Sequence, residues 1–152
     1  MARESLEELL AQEQELQFAS FTNDDAWALG NALVAAAREQ GLGVTIDIGR
    51  GEQQLFHFAM PGTAADNDEW IERKNRDVRR FGHSSYSMGI QEGEAFAQNY
   101  LLDPPRYAAH GGAFPVIVRD VGVVGTVTVS GLPQADDHRL VVSVLRAFLA
   151  RS

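Results

Sequence analysis

The sequence predicts an α+β fold: an antiparallel sheet built from two hairpins, with helices before, between and after them. Three observations carry this. The apolar period changes from 3.6 residues to 2 at Gly43 and again at Ala113. A turn splits each period-2 stretch, Gly49-Arg50-Gly51-Glu52 in the first and Asp120-Val121-Gly122 in the second. The remaining segments read as capped amphipathic helices, whose apolar faces need the sheet as cover.

Ser5 to Leu16 reads as the first helix, with a capping box formed by Ser5 and Glu8 and an apolar stripe at Leu6, Leu9, Leu10 and Leu16. Asn23-Asp24-Asp25 is the expected cap cluster of the second helix. Its stripe is Trp27, Leu29, Leu33, Val34 and Ala37, and Gly41 ends it. Val44, Ile46 and Ile48 then share one strand face, and Phe56, Phe58 and Met60 share one face of the next strand. A three-residue loop at 50–52 would pair Gly49 with Gln53 and keep both apolar sets on the same side. A register slip of one residue would expose them.

Pro61-Gly62 stops the strand, and the spacing predicts a third helix over 63–81 with stripe Trp70, Ile71, Lys74, Val78 and Phe81. Gly82 breaks it. Ser84 or Ser85 caps a fourth helix to about Tyr100, with Gly89 and Gly93 inside it as close-packing points. A Pro-Pro loop follows. Strands over 113–119 and 123–130 form the second hairpin, and a last helix runs from about Gln134 to Ala150. No repeat, low-complexity run or linker divides the chain, so residues 1–152 are expected to form one domain.

Composition removes several function classes. The 152 residues contain no Cys, which excludes disulfides, cysteine catalysis, Fe–S clusters and zinc fingers. Thirteen basic against 21 acidic residues give a net charge of −8, which disfavours nucleic acid as a partner. No apolar run is long enough for a membrane span, and the charged N-terminus lacks a signal-peptide pattern, so a cytoplasmic protein is expected. The P-loop, dinucleotide, zincin and nucleophile-elbow signatures are missing. The four histidines are too dispersed to read as a metal site.

Four segments could carry chemistry. Five of the 13 basic residues lie between Arg73 and Arg80. Arg73, Arg76 and Arg80 share a helix side, as a solvated face or a contact with an acidic neighbour. Lys74 instead falls on the apolar stripe, where it snorkels, forms an ion pair or meets an anionic ligand. Ser84 and Ser85 are helix caps, or else mark an anion site at a helix N-terminus. His110-Gly111-Gly112 combines a candidate acid/base or metal-ligating imidazole with backbone that permits close approach. Ser130 and Asp137 flank a strand exit, as capping groups or as the lining of a pocket.

The segments WIERKNRDVRRFGHSS (70–85), HGGAFPVIV (110–118) and GVVGTVTVSGLPQADDHRLV (122–141) resemble the haem-degrading-domain (GlcG/HbpS-like) family, in its branch found in bacteria and fungi. The resemblance covers the chain from about Ala26 onward. It implies a profilin-like sheet core and homo-oligomers. Together with the cation cluster in an acidic chain, it leads us to expect an assembly built on a dimer, with Arg73, Arg76 and Arg80 against a neighbour's acidic surface. It also implies a small cleft bordered by Lys74, Ser84, Ser85, Gly111, Gly112, Ser130 and Asp137. Some members bind haem or related tetrapyrroles.

The expected function is a non-catalytic small-ligand-binding domain for an anionic ligand, with haem or a related tetrapyrrole as the cofactor class that the resemblance implies. The alternatives are an oligomeric interaction module with a vestigial cleft, or an enzyme using Lys74 or His110 as acid/base. A haem donor would come from His57, His83, His110, His138, Met60, Met88 or a tyrosine, with His110 first because it precedes the two glycines.

Overall fold

A computed structural model describes residues 3–151. Four strands form one antiparallel sheet: β1 (Thr45–Arg50), β2 (Gln53–Ala59), β3 (Ala113–Val118) and β4 (Gly122–Ser130). The order is β2-β1-β4-β3, so each hairpin gives one edge strand and one central strand. Six α-helices surround the sheet: α1 (Leu6–Glu15), α2 (Asn23–Glu39), α3 (Ala65–Phe81), α4 (Ser85–Glu92), the single turn α5 (Phe96–Asn99) and α6 (Gln134–Ala150). The expected α+β class with two hairpins and flanking helices is the observed one.

The two sheet faces differ in chemistry. Ile46, Ile48, Phe56, Phe114, Val116, Val127 and Val129 form the main core with Leu29 and Leu33 of α2 and Leu140, Val141 and Leu145 of α6. The opposite face carries Thr45, Asp47, Thr126, Thr128 and Ser130, and these are buried too. Helix α3 covers them, and polar partners on α3 make that burial tolerable. Asn75 accepts from the Thr128 hydroxyl and donates to Asp47. His57 lies 2.9 Å from Asp47 through Nδ1 and 3.0 Å from Asp68 through Nε2, tying β1, β2 and α3 together.

Local details correct four expectations. Thr22, not the Asn23 cluster, caps α2. Its hydroxyl accepts from Asp25 N at 3.0 Å, and the Asp25 carboxylate accepts from Thr22 N at 2.8 Å. Asn23 instead accepts from Arg50. Trp27 is 65% exposed and joins the core only at its margin, where its ring meets Phe56 edge-on. The first hairpin loop has two residues, Gly51 and Glu52, with Arg50 opposite Gln53. Gly51 supplies the positive φ that a two-residue turn requires. A bulge between Ile48 and Gly49 shifts the pairing by one residue. It pairs Ile46 with Phe58 and Ile48 with Phe56, so the apolar residues keep their common face by a different route.

The fourth expected helix breaks at Gly93 (φ 60°, ψ −145°), a conformation closed to other residues. A 3₁₀ turn and α5 follow. Gly89 does serve close packing, since a Cβ there would collide with the Ala109 carbonyl. The contact fixes the 107–110 segment against α4.

Candidate functional site

The end of β4, the start of α6 and the middle of α3 converge on a cleft of about 290 Å³. Lys74, Ser130 and Asp137 line it, and each is at least 95% buried. Trp70, His110 and Leu132 form its less polar walls. Lys74 arrives here because α3 lies across the polar sheet face, and position 74 is one turn from Ile71 and Val78 in the seam.

The Lys74 ammonium donates to the carbonyls of Val129 at 2.8 Å and Gly111 at 3.1 Å. The Asp137 carboxylate is 3.6 Å away. Lys74 therefore clamps the β4 end to the segment entering β3. Burial pulls its pKa down, while Asp137 acts in the opposite direction. Burial also pushes Asp137 up to about 6, against the Lys74 charge and the backbone donors Leu132 and Gly131.

Gly112 stands behind this clamp at φ +136°. A Cβ there would fall on Lys74 Nζ and the Val129 carbonyl. Gly111 donates its N–H to the Gln134 side chain at 3.0 Å. The two glycines thus provide the close approach the sequence suggested, made toward Lys74 and α6.

Ser84 and Ser85 are fully buried and spend their groups on structure. Ser84 caps α4 by accepting from Ser87 N. Ser85 accepts from Ala113 N at 3.1 Å and so holds the start of β3. The α4 N-terminus already faces an anion. Glu13 of α1 accepts from Ser84 N at 3.0 Å and lies 2.7 Å from His83.

His110 is exposed at the cleft mouth, with its ring 5.3 Å from that of Trp70. Neither of its nitrogens has a hydrogen-bond partner among the described residues. Desolvation of the partly shielded ring, followed by the charges of Arg73 and Lys74, lowers its pKa, which favours neutral imidazole. His110 and Gln134 also border a larger cavity of about 620 Å³, lined further by Ile90, Ala97, Ala108, Tyr86 and Tyr107, with Arg3 and Arg73 as cations. The two spaces therefore meet at His110.

The other histidines are committed elsewhere. His138 is buried, lies 2.8 Å from Gln12 through Nε2 and has its pKa lowered to about 4 by burial. Its Nδ1 has no hydrogen-bond partner among the described residues.

Of the arginine side, Arg73 donates to the carbonyls of Pro104 and Tyr107, and Arg76 to that of Arg106. They pin the Pro-Pro loop of their own chain.

The model of the family described as "Haem degrading protein HbpS-like" matches residues 21–146. The chain belongs to the HbpS-like family. Among its relatives, a UPF0303 protein of Streptomyces coelicolor is 59% identical over 145 residues, covering 93% of this chain and 92% of that protein. A UPF0303 protein of Edwardsiella ictaluri is 50% identical over 151 residues, 97% of this chain and 96% of its own. The crystal structure of the Ybr137w protein superposes with a TM-score of 0.91 at 38% identity, covering 97% of this chain and 89% of that one. The PduOC–haem complex shares the fold at a TM-score of 0.69 and 18% identity, covering 85% of this chain and 94% of its own.

In this HbpS-like chain, sequence reasoning missed several participants. Asn67 donates to Ser130 at 3.1 Å and caps α3 by accepting from Ala64 N. Gln134 holds Gly111, and Glu13 holds the α4 start. Only Asn67 had a local signal, as the third residue after an N-cap position. The other two act across long sequence separations.

Asp77 was also missed. It is fully buried, and neither of its oxygens has a side-chain hydrogen-bond partner among the described residues; burial raises its pKa to about 8, against the Ala108 backbone and the Arg73 and Lys74 charges. No helix among the described residues is long and apolar enough to cross a membrane.

Proposed function

We propose that this protein is a non-catalytic ligand-binding domain for a planar, carboxylated molecule of the tetrapyrrole class. The observation that carries the reading is His110, an imidazole at the junction of the two cavities whose nitrogens have no hydrogen-bond partner among the described residues and whose surroundings favour its neutral form. The 620 Å³ cavity has the scale of a drug-sized organic ligand, and Ile90, Ala97 and Ala108 give it apolar wall. Arg3 and Arg73, the latter already donating to two carbonyls, outnumber the single lining acid Glu94 and suit its carboxylates. The smaller cleft offers the Ser130 hydroxyl proton and the Gln134 amide to a carboxylate arm.

These residues fit haem as well as a metal-free tetrapyrrole. His110 would hold the iron, and haem would supply reversible ligand or electron chemistry there. Family membership supports the same class, as does the shared fold of the PduOC–haem complex. A binding role is favoured over catalysis because Lys74 is engaged by two carbonyls and a carboxylate, and His110 has no orienting partner among the described residues. Ser84, Ser85 and Gly112 support the site from behind.

Titration with hemin tests the reading. A stoichiometric Soret shift in the wild type that is lost in His110→Ala supports it. A full shift in His110→Ala assigns the ligand elsewhere. The absence of a shift with both hemin and protoporphyrin rejects the tetrapyrrole class.

We further propose a homo-oligomer. The outer edge of β2 is unpaired in the sheet, and the family resemblance implies assembly. A monomeric mass in light scattering at micromolar concentration would refute it.

A further inference from the structure

The arginine segment of α3 is only partly used by the loop it pins. Arg76, Arg79, Arg80 and Arg106 line one shallow, open groove of about 330 Å³, together with Tyr107 and a single acid, Glu52. The groove lies on the 76–80 part of α3 and is lined by none of the residues of the His110 cavity except Tyr107.

Its construction is specific. Arg76 donates to the Arg106 carbonyl at 3.1 Å, which sets the loop against the helix. Arg80 stacks over Tyr107, 5.8 Å from the ring centroid. These two contacts bring the Arg106 side chain to the groove that Arg79 also lines. The guanidiniums of Arg79 and Arg106 have no hydrogen-bond or ion-pair partner among the described residues.

Four cations sharing one small groove repel one another. Arg76 and Arg80 stand at i and i+4 on the same helix, a spacing that is unfavourable for like charges. The chain has 21 acidic residues, yet the carboxylate nearest to any of the four is Glu72, 3.9 Å from Arg76. Two arginines elsewhere in the fold are closely matched: Arg139 meets Glu4 at 2.6 Å and Arg146 meets Glu15 at 2.7 Å. Guanidinium forks suit phosphate oxygens two at a time.

We infer that this groove is a binding site for a phosphate-bearing small molecule, with Arg79 and Arg106 as the paired forks and Arg76 and Arg80 as the groups that hold the site open. A compact pyrophosphate or phosphomonoester presents the closely spaced oxygens to which two guanidinium forks donate.

The test is thermal unfolding at low salt with pyrophosphate, against sodium chloride at matched ionic strength. At a tenfold excess over the dissociation constant, pyrophosphate raises the wild-type midpoint by about 3 °C beyond the chloride control. Arg79→Gln/Arg106→Gln removes that rise. The double variant folds, because neither side chain supports another described contact, and its hemin titration matches the wild type. Equal midpoints in pyrophosphate and chloride overturn the inference, as does an undiminished rise in the double variant. A poly-glutamate peptide that outcompetes pyrophosphate also overturns it, by assigning the groove to an acidic protein partner.

Discussion

Lys74 and Asp137 meet 3.6 Å apart at the point where α3, β4 and α6 converge, and both are almost fully buried. The charged pair is stable there because Lys74 also finds two main-chain carbonyls and Asp137 accepts from Leu132 N at 3.0 Å. One lysine thus joins the end of β4, the entry to β3 and the first turn of α6. The clamp shapes the cleft and is part of the fold.

Lys74→Met is therefore expected to cost stability, by about 3–5 kcal/mol, because it leaves a buried carboxylate without its cation. Adding Asp137→Asn should recover part of that loss, since the orphaned charge is then gone. Urea unfolding of the single and double variants measures both effects. A Lys74→Met protein as stable as wild type would show that the clamp contributes nothing.

Gly112→Ala tests the same junction from the backbone side. The added methyl would occupy space held by Lys74 Nζ and the Val129 carbonyl, at a φ of +136° that alanine rarely adopts. The expected loss is about 2 kcal/mol or more. Gly41→Ala is the control: its φ is +69°, and nothing lies within 4 Å of the added carbon. It should cost less, and equal losses at both sites would reduce the Gly112 effect to backbone strain alone.

Asp77 gives the fold a pH dependence. Its carboxyl has a pKa of about 8 in the fold, against 3.8 for the free group. Between these values the folded state holds a proton that the unfolded state has released. The Asp77 contribution to stability therefore falls as pH rises from about 4 to about 8, and is constant outside that window. Asp77→Asn should remove this slope and raise stability at pH 9 by about 1 kcal/mol or more. Denaturant midpoints at pH 5, 7 and 9 decide it. Parallel pH profiles for the two proteins would rule out a buried, protonated Asp77.

Local physics made much of the fold legible in the sequence. Period-2 alternation placed Ile46, Ile48, Val127 and Val129 on one face, and the bulge at Gly49 changed the pairing without changing that face. Ser5 and Glu8 marked the α1 start, because a capping box is complete within four residues. Position 74 in the apolar stripe was enough to predict that Lys74 would be unusual.

Contacts between distant segments required the tertiary structure. Nothing near Glu13 in the chain says that it faces the α4 N-terminus, more than 60 residues later, or that Gln134 will hold Gly111. The order β2-β1-β4-β3 rests on the pairing of β1 with β4, strands far apart in the chain, and hairpin patterns do not encode it. The polar face was readable as polar but not as buried, because only the arrival of α3 removes Asp47 and Thr128 from water. Sequence period determines which side chains share a face. What covers that face, and so whether a lysine is a surface charge or a buried clamp, is decided by packing across the chain.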